Sequence, residues 1–146
     1  MKKLLLEILL GLSLPAAMFH TQIANVFQAE KPVSKEISLS IARDANYTEK
    51  IYDKSKASLH VIIFKVKNKK QIVLWDKTYD TLQLKDYPTI ANALHNNVTV
   101  SNIVDSKEKL YVTYIITYNT NGSVVTIEDG TSLLKGEKHG NVMINI

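Results

Sequence analysis

The chain predicts an all-β fold, an antiparallel two-sheet sandwich of immunoglobulin-like or related topology with seven or eight strands. Three observations carry that expectation. Apolar residues recur with period two through most of residues 37–146, the spacing of strands that lay one face on a core. Short clusters of Asn, Asp, Gly and Lys separate these runs. No alternation of strand-length and helix-length patterns, of the kind that builds a parallel sheet, is present. A small closed barrel is the competing architecture.

The first strand is Ile37, Leu39 and Ile41 alternating with Ser38, Ser40 and Ala42, and residues 44–56 form a long polar connection. Residues 57–67 are apolar on both faces, Leu59, Val61 and Ile63 against Ile62, Phe64 and Val66, which points to a central strand. A polar turn at 67–70 returns this strand as a hairpin along 71–79, with a short fourth strand at 81–84 after a bend at Asp80. One short crossover helix is expected near 88–94, with Pro88 near its first position and Asn96-Asn97 ending it. Residues 98–104 make a short strand, and 110–118 the clearest strand in the chain. Asn121-Gly122 is a strong hairpin signal because both residue types tolerate positive φ. Residues 123–128 are its partner strand, and Asp129-Gly130 reads as another turn, with Leu133 and Leu134 beyond it. Val142, Ile144 and Ile146 make the last strand.

Residues 1–29 carry a different pattern. Lys2 and Lys3 precede an apolar run from Leu4 to Phe19 and then a polar stretch, the layout of a secretory signal peptide. The unbroken part, 8–19, is shorter than the roughly 20 residues that span a bilayer, and Gly11 and Pro15 loosen any helix there. Cleavage is expected near Ala24 or Ala29, which makes residues 30–146 a single domain and the location periplasmic or secreted. An uncut inner-membrane tether and a translation start at Met18 are the alternatives.

The chain has no cysteine. Disulfides, thiol catalysis, Fe–S clusters and cysteine zinc sites are therefore excluded, and the core rests on packing alone. The formal charge of +4 falls to +3 when Lys2, Lys3 and Glu7 leave with the signal. That is mildly basic and short of the concentrated footprint of a nucleic-acid binder.

Asp76 and Asp80, four apart, would share a strand face, and a carboxylate pair suits glycoside hydrolysis. Lys77 and Tyr79 between them make the stretch look like an ordinary exposed strand. His60, His95 and His139 lack the close spacing of metal ligands, so neither a metal nor a cofactor is expected. There is no G-x-S-x-G elbow and no glycine-rich phosphate loop.

Lys65, Lys67, Lys69 and Lys70 form the densest basic stretch, either a patch for an acidic partner or a lysine guard on a hairpin tip. Of the seven tyrosines, Tyr111, Tyr79 and Tyr87 are the surface candidates for an aromatic platform, while Tyr114 and Tyr118 fall on the apolar face. Val142, Ile144 and Ile146 place the last strand at a sheet edge, where a partner strand would add by β-augmentation.

These readings converge on an exported, non-enzymatic binding module acting on another envelope or cell-surface component, as an assembly accessory, adhesin-like module or inhibitor. Its expected contact residues are Lys65, Lys67, Lys69, Lys70, Tyr111, Val142, Ile144 and Ile146. The expected partner is an envelope or surface protein, not nucleic acid, with the membrane met only through an uncleaved N-terminal segment. The alternatives are a hydrolase or metal-handling protein built on Asp76, Asp80 and a histidine, and a self-assembling structural subunit.

Overall fold

Period-two alternation becomes seven strands in the computed structural model, which describes residues 30–46, 50–133 and 135–146. The leader expected at 1–29 lies outside the described residues, as does Leu134. The strands are β1 (Val33–Ala42), β2 (Lys56–Lys67), β3 (Lys70–Gln83), β4 (Leu94–Ile103), β5 (Lys109–Thr120), β6 (Ser123–Leu133) and β7 (His139–Asn145). They form a three-stranded sheet in the order β4-β1-β7 and a four-stranded sheet in the order β3-β2-β5-β6.

This is a β-sandwich, and all neighbours are antiparallel except β1 and β7. In an immunoglobulin domain the first strand lies beside the second and runs against it. Here the last strand holds that place and runs with its neighbour. The direction follows from the connections. Strand β1 begins at the pole where β4 ends, with Val33 opposite Ile103, and β6 delivers the chain to that same pole at Leu133. Strand β7 can then only run parallel to β1, and Glu36 donates its N–H to Lys138 O at the point of entry.

The core lies between the sheets. Ile37 and Leu39 of β1 and Leu59, Val61 and Ile63 of β2 are fully buried, as is Ile144 of β7. Each such side chain stabilises the fold by about 1.5–3 kcal/mol relative to exposure. Strand β2 is central, as its two apolar faces indicated, with β3 on one side and β5 on the other.

Three turn signals in the sequence lie inside strands or shrink. The expected strands at 71–79 and 81–84 are one strand, β3, because a register irregularity opposite Ala57 and Leu59 absorbs the bend at Asp80. The crossover helix is a single 3-10 turn, Ile90–Asn92, and β4 already begins at Leu94. Asn96 and Asn97 do not end a helix but pair with Leu39 and Ser38. Asn96 also donates its side-chain amide to Tyr79 Oη at 3.1 Å.

Asp129-Gly130 is likewise no turn, and β6 runs through it to Leu133. Asp129 Oδ1 accepts the Gly130 N–H at 2.7 Å, and Asp129 Oδ2 accepts the Tyr114 hydroxyl at 3.0 Å. Glycine is there because the chains approach closely. A β-carbon on Gly130 would sit 2.5 Å from Val112 O and 3.0 Å from Thr113 Cα.

Because those contacts are with backbone, Gly130→Ala is expected to lower stability by about 1–3 kcal/mol. Urea unfolding of the variant beside wild type checks this, and equal midpoints would contradict the close approach.

Candidate binding surfaces

The turn between β2 and β3, the loop between β4 and β5 and the loop between β6 and β7 share one pole. The register places them there, with Val66 opposite Lys109 and Leu110 opposite Leu133. Two lysines on inward-facing positions fix the β4–β5 loop. Lys35 continues the alternation of Ile37, Leu39 and Ile41, is 2% exposed, and meets Asp105 Oδ1 at 2.6 Å. Lys65 continues Leu59, Val61 and Ile63, and its Nζ donates to Glu108 Oε2 at 2.9 Å and to Asn102 O at 2.7 Å. Val104 N–H donates to the same Glu108 oxygen at 3.1 Å. Lys67 Nζ faces Glu108 Oε1 at 3.3 Å, and that buried oxygen accepts no hydrogen bond among the described residues.

Burial works to raise the Glu108 carboxyl, but Lys65, the Val104 N–H and Lys67 together hold it below the ordinary carboxylate range. The Lys35 ammonium does the same for Asp105, helped by the Gly136 N–H. Of the expected basic patch, Lys65 therefore faces the domain, Lys67 is shared with Glu108, and Lys69 and Lys70 stand exposed at the hairpin tip.

Tyr111 lies on the outer face of the four-stranded sheet, stacked on Phe64 with ring centroids 5.3 Å apart and planes at 14°. Of the other surface candidates, Tyr79 is half-buried under Lys77, whose Nζ is 4.7 Å from the ring centroid. Tyr87 is buried instead, and its hydroxyl donates to Ala57 O at 2.9 Å. Burial pushes that phenol up. Tyr114 and Tyr118 pack against the core, as their face in the alternation implied.

The four sheet edges differ. Strand β7 is an edge strand, but Val142, Ile144 and Ile146 point into the core and are buried. Outward, the strand presents His139, Asn141, Met143 and Asn145, a mostly polar row with one exposed apolar side chain. Strand β3 carries two register irregularities and exposed Asp76 and Lys77. Strand β4 is irregular near Val33 and Lys35 and has Asn102 at φ 60°.

Strand β6 is the least protected of the four, its only charges being Glu128 and Asp129 at its middle. It pairs with β5 in unbroken register from Leu110 to Thr120, it holds no lysine or proline, and Val124, Val125 and Ile127 are 61%, 57% and 46% exposed. Val125 and Ile127 lie opposite Tyr118 and Ile116, on the inner side of a strand that the narrower sheet does not reach.

The chemistry-bearing residues are dispersed. His60 Nε2 meets Asp76 Oδ1 at 2.9 Å across two strands of the outer face. His139 pairs with Glu36 at 3.1 Å. His95 Nδ1 lies 3.0 Å from Ser40 Oγ, an exposed contact. Among the described residues no group of three or more His, Asp or Glu is placed to hold a metal ion. No helix there is long and apolar enough to cross a membrane.

Sequence reasoning named the hairpin lysines and Tyr111 but not the exposed edge of the 123–128 strand or the acids Asp105 and Glu108. The adjacent apolar pair Val124-Val125, one on each face, was the available signal for an unprotected strand. Compared with family models, with curated proteins and with solved structures, the chain finds no match.

Both clamped carboxyls are held below their ordinary values, so they stabilise the fold fully above about pH 5. That contribution is lost as pH falls through their folded values. Glu108→Gln leaves Lys65 without its counter-charge and is expected to cost about 3 kcal/mol at pH 7. In urea unfolding from pH 7 to pH 3 the gap between wild type and variant should shrink. Parallel curves would show that the clamp does not carry the pH dependence.

Proposed function

We propose that this chain is an exported, non-enzymatic binding module that takes a strand of another envelope or surface protein onto the free edge of β6. The observation that carries the reading is the edge itself. Natural sheets guard their edges with bulges, lysines, prolines or short strands; β3 and β4 are irregular, and β7 is short and turns Val142 and Ile144 to the core. Strand β6 is long and regular, and over 124–127 it is apolar on both faces. An incoming strand would gain a ladder of backbone hydrogen bonds and cover Val124 on one face and Val125 and Ile127 on the other. The N-terminal pattern of the sequence supports a partner outside the cytoplasm.

The test places a photo-cross-linking residue at Val124 of the full chain in cells and identifies the captured peptide by mass spectrometry. The expected product joins Val124 to one extended segment of an envelope or surface protein. It should fall at least tenfold in Val125→Lys/Ile127→Lys. These positions are exposed, so their effect on stability should stay within about 0.5 kcal/mol. Capture that survives both lysines would remove the edge from the account. A product joining two copies of this chain would replace the module with a self-assembling subunit.

A further inference from the structure

A second surface, distinct from the apolar 124–127 strip of β6, has the chemistry of a ligand site. A depression of about 340 Å³ opens at the basic pole, lined by Tyr111 and Ser132, by Lys107 of the β4–β5 loop, by Lys109 at the start of β5 and by Lys135. Its volume falls at the low end for small-molecule sites. A shallower continuation runs from Tyr111 over Thr113, Gly130 and Ser132.

The shape follows from the register. Tyr111 stacks on Phe64 of β2. Its other face therefore looks across to β6, where the residues opposite Tyr111 and Thr113 are Ser132 and Gly130. Both are small, so the ring stands as a wall above a low floor. Gly130 cannot be replaced without a clash with backbone, which keeps the floor low.

The charge follows from the clamps. Asp105 and Glu108 also line the depression, but Lys35 and Lys65 already neutralise them from beneath. Lys107, Lys109 and Lys135 are exposed and remain in excess. Lysine is a mobile point charge suited to carboxylate, sulfate or phosphate groups.

We infer that this depression binds an acidic saccharide, with one sugar ring laid against the open face of Tyr111 and its anionic group held by Lys107, Lys109 and Lys135. The electron-rich ring face attracts the weakly positive C–H groups of a pyranose, and Ser132 and Thr113 offer hydroxyls to its own. A single open aromatic face favours one ring at a time. Single-stranded nucleic acid, in contrast, is held on successive stacking platforms along a basic groove.

Affinity electrophoresis of the full chain tests this, using gels that contain alginate, neutral dextran, poly-glutamate or oligothymidylate. Alginate should retard the protein, less so as salt rises, and dextran should not. Ser132→Leu fills the floor without touching charge or core, and Lys107→Glu/Lys109→Glu reverses the field. Each should weaken alginate binding at least tenfold, while Val125→Lys/Ile127→Lys should leave it unchanged. The inference is overturned if alginate does not retard the chain, or if Ser132→Leu binds as well as wild type. Binding of poly-glutamate or oligothymidylate as tight as that of alginate would overturn it too, by assigning the pole to an acidic protein or to nucleic acid.

Discussion

Neighbouring strands lie about 4.8 Å apart, so a sheet of three strands falls one strand short of covering a sheet of four. That mismatch governs the surface of this molecule. The buried inner positions of the wide sheet belong mostly to β2 and β5, its two central strands. The outer strands overhang. On β3 the inward side chains Ile72 and Leu82 are each 40% exposed, with Trp75 and Tyr79 part-covered between them. On β6 only Leu133, next to Gly140 of β7, is buried. A second constraint sharpens this, since β7 runs parallel to β1 from the basic pole and turns Val142 and Ile144 into the core. The fold therefore uses its last strand to complete the narrow sheet and leaves β6 unaccompanied along most of its length.

The basic pole depends on a different economy. Two lysines occupy core-facing strand positions, which is tolerable only because loop carboxylates meet them. The loop between β4 and β5 is thereby tied to both sheets, through Lys35 of β1 and Lys65 of β2. Its acids are spent internally and its lysines are left facing solvent. A mildly basic chain thus presents one pole where positive charge is concentrated beside an aromatic wall.

Much of this architecture could be read from the sequence, and the failures have a common cause. Strands β1, β2 and β5 were legible because their alternation is strong and their neighbours on both sides reinforce it. Asp80, Asn96-Asn97 and Asp129-Gly130 were misread because turn propensity is local, whereas pairing with β2, β1 and β5 is not. The burial of Lys65 and Lys35 was visible in principle. Each extends a core-facing row by one period-two step, a pattern that marks an inward charge in need of a partner. The partners were not visible, because Asp105 and Glu108 lie 70 and 43 residues away in sequence. The pair Val124-Val125 marks β6 as apolar on both faces, but whether the opposite sheet covers it is not written there. That depends on how many strands the opposite sheet has, and no window along the chain contains that number.

The uncovered β6 edge is the claim on which the account turns, and residue-resolved amide hydrogen exchange on the purified domain reads it most directly. In an edge strand, alternate amides point to the neighbour and alternate ones to solvent. The account predicts that every second amide from Val124 to Ser132 exchanges freely, while those of β2 and β5 are protected throughout. Uniform protection along β6 in dilute protein would mean that its edge is already paired or covered, and would contradict the account.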